Sequence, residues 1–212
     1  MKIAIFGATG NIGKVITQEA LTRGHTVTGL VRHPESGDAS HPNLTFHKAD
    51  VLNADNVAVA VAGHHAVVSA YAPDFSAPGT LTDAANSLMK GLSAARMNRL
   101  LIVGGAGSLE VSPGLLLMDS PQFPPDWRPF ASAHGDALKA YRQNTTLDWT
   151  YFSPADRIAP GSRTGAFRIG DDNRLLVDAQ GNSAISIEDF AVALVNEIET
   201  PRFIRKRVTV AY

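Results

Sequence analysis

The strongest constraint on this chain lies at its start, where an apolar run, Lys2 to Phe6, leads directly into Gly7-Ala8-Thr9-Gly10-Asn11-Ile12-Gly13. A strand that is apolar almost throughout belongs in a parallel sheet covered on both faces. The three glycines then have separate uses. Gly7 permits the tight turn off the strand, Gly10 lets a ligand approach the backbone with no Cβ in the way, and Gly13 lets the next helix pack close to the sheet. A helix beginning here aims its unpaired N–H groups and positive dipole end at that approach, which suits a pyrophosphate. The first spacing is one residue longer than G-x-G-x-x-G, but the strand-to-helix context is the one that dinucleotide binding requires.

The pattern continues along the chain. Helical stretches near Ile12 to Arg23, Asp55 to Val61 and Leu81 to Arg96 alternate with strands at Thr26 to Val31, Leu44 to His47, Ala66 to Ala70 and Leu100 to Val103. Such alternation predicts an α/β fold, a single Rossmann-type doubly wound parallel sheet over residues 1–212. Residues 109–130 differ. Pro113, Pro121, Pro124, Pro125 and Pro129 exclude a long helix or a central strand there, and Phe123 and Trp127 are included. A proline-broken loop after a strand's C-terminal end is a lid or substrate wall, or a surface excursion packed on its own domain. A helix over Ala131 to Asn144 and a strand over Trp149 to Phe152 follow. Residues 153–212 form a small C-terminal extension on the substrate side. It contains β-like pieces at Ala166 to Ile169 and Leu175 to Val177, a helix capped by Ser186 and running to Ile198, and a last strand at Val208 to Val210.

Composition narrows the function. Hydrophobic residues are 44% of the 212, charged residues 18%, and the net charge is −1, which offers no basic surface for nucleic acid or anionic lipid. The absence of cysteine removes disulfides, thiolate catalysis and cysteine-ligated metal clusters. No signal-like h-region and no membrane-length apolar run is present, so a cytoplasmic protein is expected. A metal site is not expected either. His64 and His65 are adjacent and point apart, and Asp171-Asp172-Asn173 lacks the glycine and closing glutamate of a calcium loop.

The end of the second strand bears on which nucleotide fits. An acidic residue there would hold the ribose hydroxyls of NAD, whereas the chain reads Gly29-Leu30-Val31-Arg32-His33-Pro34. Arg32 offers a permanently charged fork for a 2′-phosphate, and NADP(H) is therefore favoured over NAD(H). Asp50 and Val51, just past the third strand, fall where an adenine would lie. The Asp50 carboxylate would either accept from its amino group or close a turn on its own backbone.

These residues together resemble the atypical short-chain dehydrogenase/reductase proteins, in particular an NAD(P)H–flavin reductase-like group. The resemblance is carried by the GATGNIG loop, Val31-Arg32, Ala49-Asp50-Val51, Val67-Val68-Ser69-Ala70, Gly104-Gly105-Ala106-Gly107-Ser108-Leu109, Asp148-Trp149-Thr150 with Ser153-Pro154-Ala155, and Ile185 to Ala191. It implies cofactor contacts from Gly7, Thr9, Gly10, Asn11, Ile12, Gly13, Arg32, Asp50, Val51, Ser69, Ala70 and Gly104, and a substrate cleft at the C-terminal ends of the strands.

One departure from the larger superfamily matters for chemistry. Its usual catalytic Tyr and Lys stand four apart on the helix after strand five. Here Ser108 and Lys139 are present, but the residue four before Lys139 is Gly135. His134 is next to that position and is the candidate acid, with Ser108 beside it as the second catalytic candidate. Without the pair, reduction of a simple ketone lacks its proton donor. A flavin or quinone spreads the incoming charge over its rings, so stacking in register suffices. An aromatic or quinonoid small molecule is thus the expected substrate, and Phe123, Trp127 and Phe130 are its expected wall. The alternative is a non-catalytic NADP(H)-binding redox sensor. Monomer and homodimer are both compatible with the sequence.

Overall fold

The computed structural model describes residues 1–34, 40–171 and 173–212. The chain runs β1 (Lys2–Phe6), α1 (Asn11–Thr22), β2 (Thr26–Val31), β3 (Leu44–Lys48), α2 (Ala54–Val61), β4 (Ala66–Ser69), α3 (Thr80–Ala94) and β5 (Arg99–Val103). A small hairpin, β6 (Glu110–Ser112) and β7 (Leu115–Leu116), precedes α4 (Arg128–Gln143) and β8 (Asp148–Pro154). Then come β9 (Arg157–Ala159), β10 (Arg168–Gly170), β11 (Ala184–Ser186), α5 (Ile187–Glu199) and β12 (Lys206–Ala211).

Eight strands form one sheet in the order β10-β12-β8-β5-β4-β1-β2-β3, parallel throughout except for the antiparallel edge strand β10. Alternate side chains of each strand go to opposite faces, even where every residue is apolar. Ile3 and Ile5 of β1 join Ile16, Phe190 and Leu194 in the core under α1 and α5, while Ala4 and Phe6 join Val57, Leu88 and Leu138 under α2, α3 and α4. The strand order reverses between β1 and β4. Ligand crevices of open α/β sheets lie at such a switch point, outside the carboxyl ends of the strands.

Several boundaries differ from those expected. Helix α4 starts at Arg128, not Ala131, because Pro129 sits in its first turn, where a missing N–H costs nothing. Phe130 therefore belongs to the helix, not to the loop. The expected strand over Leu175 to Val177 is not formed. The Leu175 N–H bonds the Glu110 carbonyl beside an isolated Glu110–Arg174 bridge, and the chain then leaves. Strands β9 and β11, which sequence patterning did not reveal, pair in parallel as a two-stranded ribbon. The N-cap of α5 is as expected, with Ser186 Oγ accepting from the Asp189 N–H at 3.0 Å. His64 and His65 serve the fold. His64 Nε2 is 2.9 Å from Thr28 Oγ1, and His65 Nδ1 accepts from the Lys2 N–H. Asp171 is bonded by Lys206 Nζ, and Asp172 lies outside the described residues. Among the described residues, no helix is long and apolar enough to cross a membrane.

The C-terminal end of α5 is tied to the sheet by a buried charge. Glu197 accepts from Arg99 Nη2 at 2.8 Å and from the backbone N–H groups of Arg202 and Phe203. Removing one partner strands the other charge in the interior. Glu197→Ala is expected to cost about 3–5 kcal/mol in urea unfolding. A loss below about 1 kcal/mol would mean that Arg99 finds other compensation.

Candidate functional site

The glycine loop is held by contacts that admit no larger residue. Gly7 turns at φ +75°, and a Cβ there would lie 2.5 Å from the Ala70 carbonyl oxygen. A Cβ on Gly13 would lie 2.0 Å from the Gly7 carbonyl oxygen. The first turn of α1 is thus pressed against the end of β1, and β1 against the end of β4. No side chain caps α1 at its Gly10 N-cap. Its first N–H groups are left to whatever occupies the groove in front of them.

That groove encloses about 240 Å³ and is lined by Gly7, Thr9, Gly10, Arg32, Asp50, Val51 and Ala70, with Leu30, Ala49, Leu52 and Tyr71 among the remaining walls. The structure therefore brings together seven of the twelve residues expected to touch a nucleotide. The other five sit elsewhere. Gly13 is buried beneath the loop and Ile12 packs on the core. Asn11 is exposed on α1, outside the groove lining. Ser69 is buried in β4. Gly104 has a packing role: a Cβ there would meet the Tyr151 ring at 2.0 Å. Of the two options for Asp50, the turn is formed, with Oδ1 accepting from the Leu52 N–H at 3.0 Å. Its side chain is exposed.

A second cavity, about 530 Å³, opens past the ends of β5 and β8. Gly105, Ala106 and Gly107 form one wall, Phe123, Trp127 and Phe130 another, and Pro154 to Ala159 a third. At its mouth Phe75 lies 4.3 Å from Phe130 and 5.4 Å edge-on from Trp127, centroid to centroid. Phe75 comes from the segment after β4 and escaped sequence reasoning, since nothing in its spacing links it to α4. Between the groove and this cavity is a tight space of about 10 Å³ bordered by Tyr71, His134 and Tyr151. Tyr71 also lines the groove, and His134 also lines the aromatic cavity.

His134 is held from two sides. Its ring packs flat on Gly105, where a Cβ would be 2.9 Å away. Tyr151 Oη lies 3.0 Å from His134 Nδ1 and 3.1 Å from the His134 carbonyl oxygen. If the one hydroxyl proton goes to the carbonyl, Nδ1–H donates to Oη and Nε2 keeps its lone pair. Desolvation pulls the His134 pKa down to about 4 and pushes that of Tyr151 up. At neutral pH His134 is consequently uncharged. Ser108 is not part of this constellation. It borders a different cavity, on the other side of the Gly104–Ser108 loop, together with Gly135 and Lys139. Lys139 is exposed and paired with Asp136 at 2.9 Å.

The chain matches a family model described as NAD(P)H-binding over residues 7–201. Three solved structures are similar over its whole length. One, from Burkholderia pseudomallei and provisionally called an exported protein, is 47% identical with a TM-score of 0.91, covering 100% of both chains. Another, from Bacteroides thetaiotaomicron and provisionally called an epimerase, is 40% identical with a TM-score of 0.93, covering 100% of this chain and 96% of that one. A third, from Streptococcus pneumoniae and provisionally called an NADH-flavin reductase, is 30% identical with a TM-score of 0.87, covering 100% and 99%.

Two predictions follow from this geometry. The first contrasts two helical glycines. A Cβ at Gly135 meets only Ser108 Cβ, at an ordinary 3.7 Å. Gly135→Ala is expected to stabilise by about 0.5–1 kcal/mol and Gly13→Ala to destabilise by about 1–3 kcal/mol in urea melts. Equal effects would contradict the packing described. The second concerns pH. His134 is depressed from 6.5 to about 4, so between those values the unfolded chain binds the extra proton. Its contribution is complete above pH 6.5 and is lost as pH falls to about 4, on the order of 3 kcal/mol. His134→Gln should flatten that part of the stability profile, and an unchanged slope would show that His134 does not titrate in this window.

Proposed function

The chain belongs to the NAD(P)H-binding family, and on that premise we propose that it is an NADPH-dependent reductase whose acceptor is a delocalised ring system, a flavin or a quinone. The observation that carries this reading is the aromatic-walled cavity next to the nucleotide groove, with a neutral histidine between them. The glycine cradle fits the group, since the Cβ positions closed at Gly7 and Gly13 keep the backbone near a pyrophosphate. When bound, the nicotinamide supplies the hydride.

The residues of this chain then do four things. The α1 N-terminus and Gly10 receive the phosphates, and Arg32, exposed on the groove rim, takes the 2′-phosphate. The Asp50 carboxylate accepts from the adenine amino group. Trp127, Phe130, Phe123 and Phe75 stack the acceptor and exclude water from its ring faces, which makes residues 109–130 a substrate wall. His134 Nε2 accepts from an N–H or O–H on the acceptor and so fixes its orientation, while protons come from solvent at the cavity mouth. The relative from Streptococcus pneumoniae, called an NADH-flavin reductase, supports the reaction class. Epimerase chemistry, as the Bacteroides relative's name would have it, gains no support from Gly135, which stands four residues before a Lys139 already paired at the surface.

Steady-state oxidation of NADPH with FMN, FAD and a quinone series tests the reaction. Turnover with at least one acceptor is expected, with Trp127→Ala raising its KM several-fold. Tight NADPH binding with no turnover above the enzyme-free rate would replace the reductase by a nucleotide-binding regulator. Calorimetric titration tests the nucleotide preference. Arg32→Ala should weaken NADPH by about 1.5–3 kcal/mol, the worth of a charged hydrogen bond, and leave NADH nearly unchanged. Equal losses would remove the 2′-phosphate role.

A further inference from the structure

Arg207 differs from the half-buried arginines Arg99 and Arg23. Arg99 is paired with Glu197, and Arg23 with Glu19 and Glu199. Arg207, only 5% exposed, forms no ion pair with a carboxylate among the described residues. Its Nε donates to Ser153 Oγ at 3.0 Å and its Nη1 to the Ser108 carbonyl at 3.0 Å, both neutral groups. Its Nη2 is buried without any hydrogen-bond partner. Burial lowers its pKa to about 10, so the cation persists at neutral pH. An isolated buried charge of this kind costs several kcal/mol and is ordinarily compensated.

The compensation has a place. Arg207 lines a cavity of about 300 Å³ that also presents Arg142, Lys139, Ser108 and Ser132. Arg142 is bonded to a neutral group as well, the Asn173 Oδ1 at 2.7 Å, and it is near enough to depress the Arg207 pKa. Two carboxylates border the space. Asp136 is taken up by Lys139, and Glu110 stands on the β6 side. The lining thus carries three cations against two acids, and the Lys139–Asp136 pair leaves two arginines facing Glu110, with no ion pair between them among the described residues. Gly135 keeps the space open, since a side chain there would project toward Ser108.

We propose that this cavity, between α4, the β6–β7 hairpin and the start of β12, is a binding site for a small oxyanion, a phosphate or carboxylate group held by Arg142 and Arg207. The lining is polar and cationic, which suits a small charged group. Planar guanidinium forks are matched to such groups. The site is coupled to the aromatic cavity through one loop. Arg207 holds the Ser108 carbonyl directly, and Ser153, which accepts from Arg207, donates to the Gly105 carbonyl at 2.8 Å. The loop whose ends are so fastened is the glycine wall of the aromatic cavity.

The test is calorimetric titration of the full chain with inorganic phosphate and, separately, with acetate, at ionic strength held constant by sodium chloride. Saturable one-site binding of at least one probe is expected. It should fall at least tenfold in Arg142→Ala and in Gly135→Leu, which fills the cavity, and should be unchanged in Arg32→Ala, which addresses the nucleotide groove. Arg207→Gln should abolish it. Should that variant fail to fold, the Arg142 and Gly135 variants decide alone. No saturable binding of either probe, binding indifferent to Arg142→Ala and Gly135→Leu, or loss on Arg32→Ala would each overturn the proposal. Because the readout is anion binding without nucleotide, it succeeds or fails independently of the reductase reading.

Discussion

The first turn of α1 meets the end of β1 through the Gly13 Cα against the Gly7 carbonyl, and β1 meets β4 through Gly7 against the Ala70 carbonyl. Neither junction has room for a methyl group. Because they lie where the strand order reverses, they fix how far the helix N-terminus stands from the crevice between β1 and β4. Everything lining the nucleotide groove is placed relative to this junction: Arg32 at the end of β2, Asp50 after β3, and Tyr71 after β4. A loop with larger residues would move the helix outward, and the unpaired N–H groups would no longer face the groove.

The sheet separates two kinds of work. Under α1 and α5 the core is packed with aliphatic and aromatic side chains, and its few charges are paired, Glu19 with Arg23 and Arg163 among them. On the α4 side two buried polar groups, Tyr151 and Arg207, flank one loop. Tyr151 and Arg207 are register partners on adjacent strands, and both point to the space beneath α4. Tyr151 Oη meets His134 Nδ1 on one flank of the Gly104–Ser108 loop. Arg207 fastens the loop on the other. The loop thus has a neutral, aromatic cavity on one side and a cationic one on the other, and its glycines are explained by close contacts with Tyr151, His134 and Ala131.

Much of this was legible in the sequence, for identifiable reasons. The apolar run of β1, the glycine spacing and the alternation of elements report local geometry, so β1 and β2 have the expected bounds and α5 its expected cap. Arg32 and Asp50 could be placed because each follows a recognisable strand end. Other features depend on distant pairings. Ser108 and His134 look like partners from their neighbourhood to Gly135, yet the loop after β5 carries Ser108 to the far side of α4. Arg207 gave no signal, since it stands just before the strand read at Val208 to Val210 and enters it only in the folded sheet. Phe75 and Trp127 are 52 residues apart in the numbering and meet through packing alone.

The sequence by itself determined that the chain opens with a strand, a glycine turn and a helix, and hence that a pyrophosphate-sized anion has a prepared place. That follows from backbone sterics, which are local. Only the tertiary structure decided which side chains share a cavity, which groups face His134, and that Arg207 has no carboxylate partner among the described residues. Those depend on strand register and on the path of one loop over α4, and neither is encoded within any single window of the sequence.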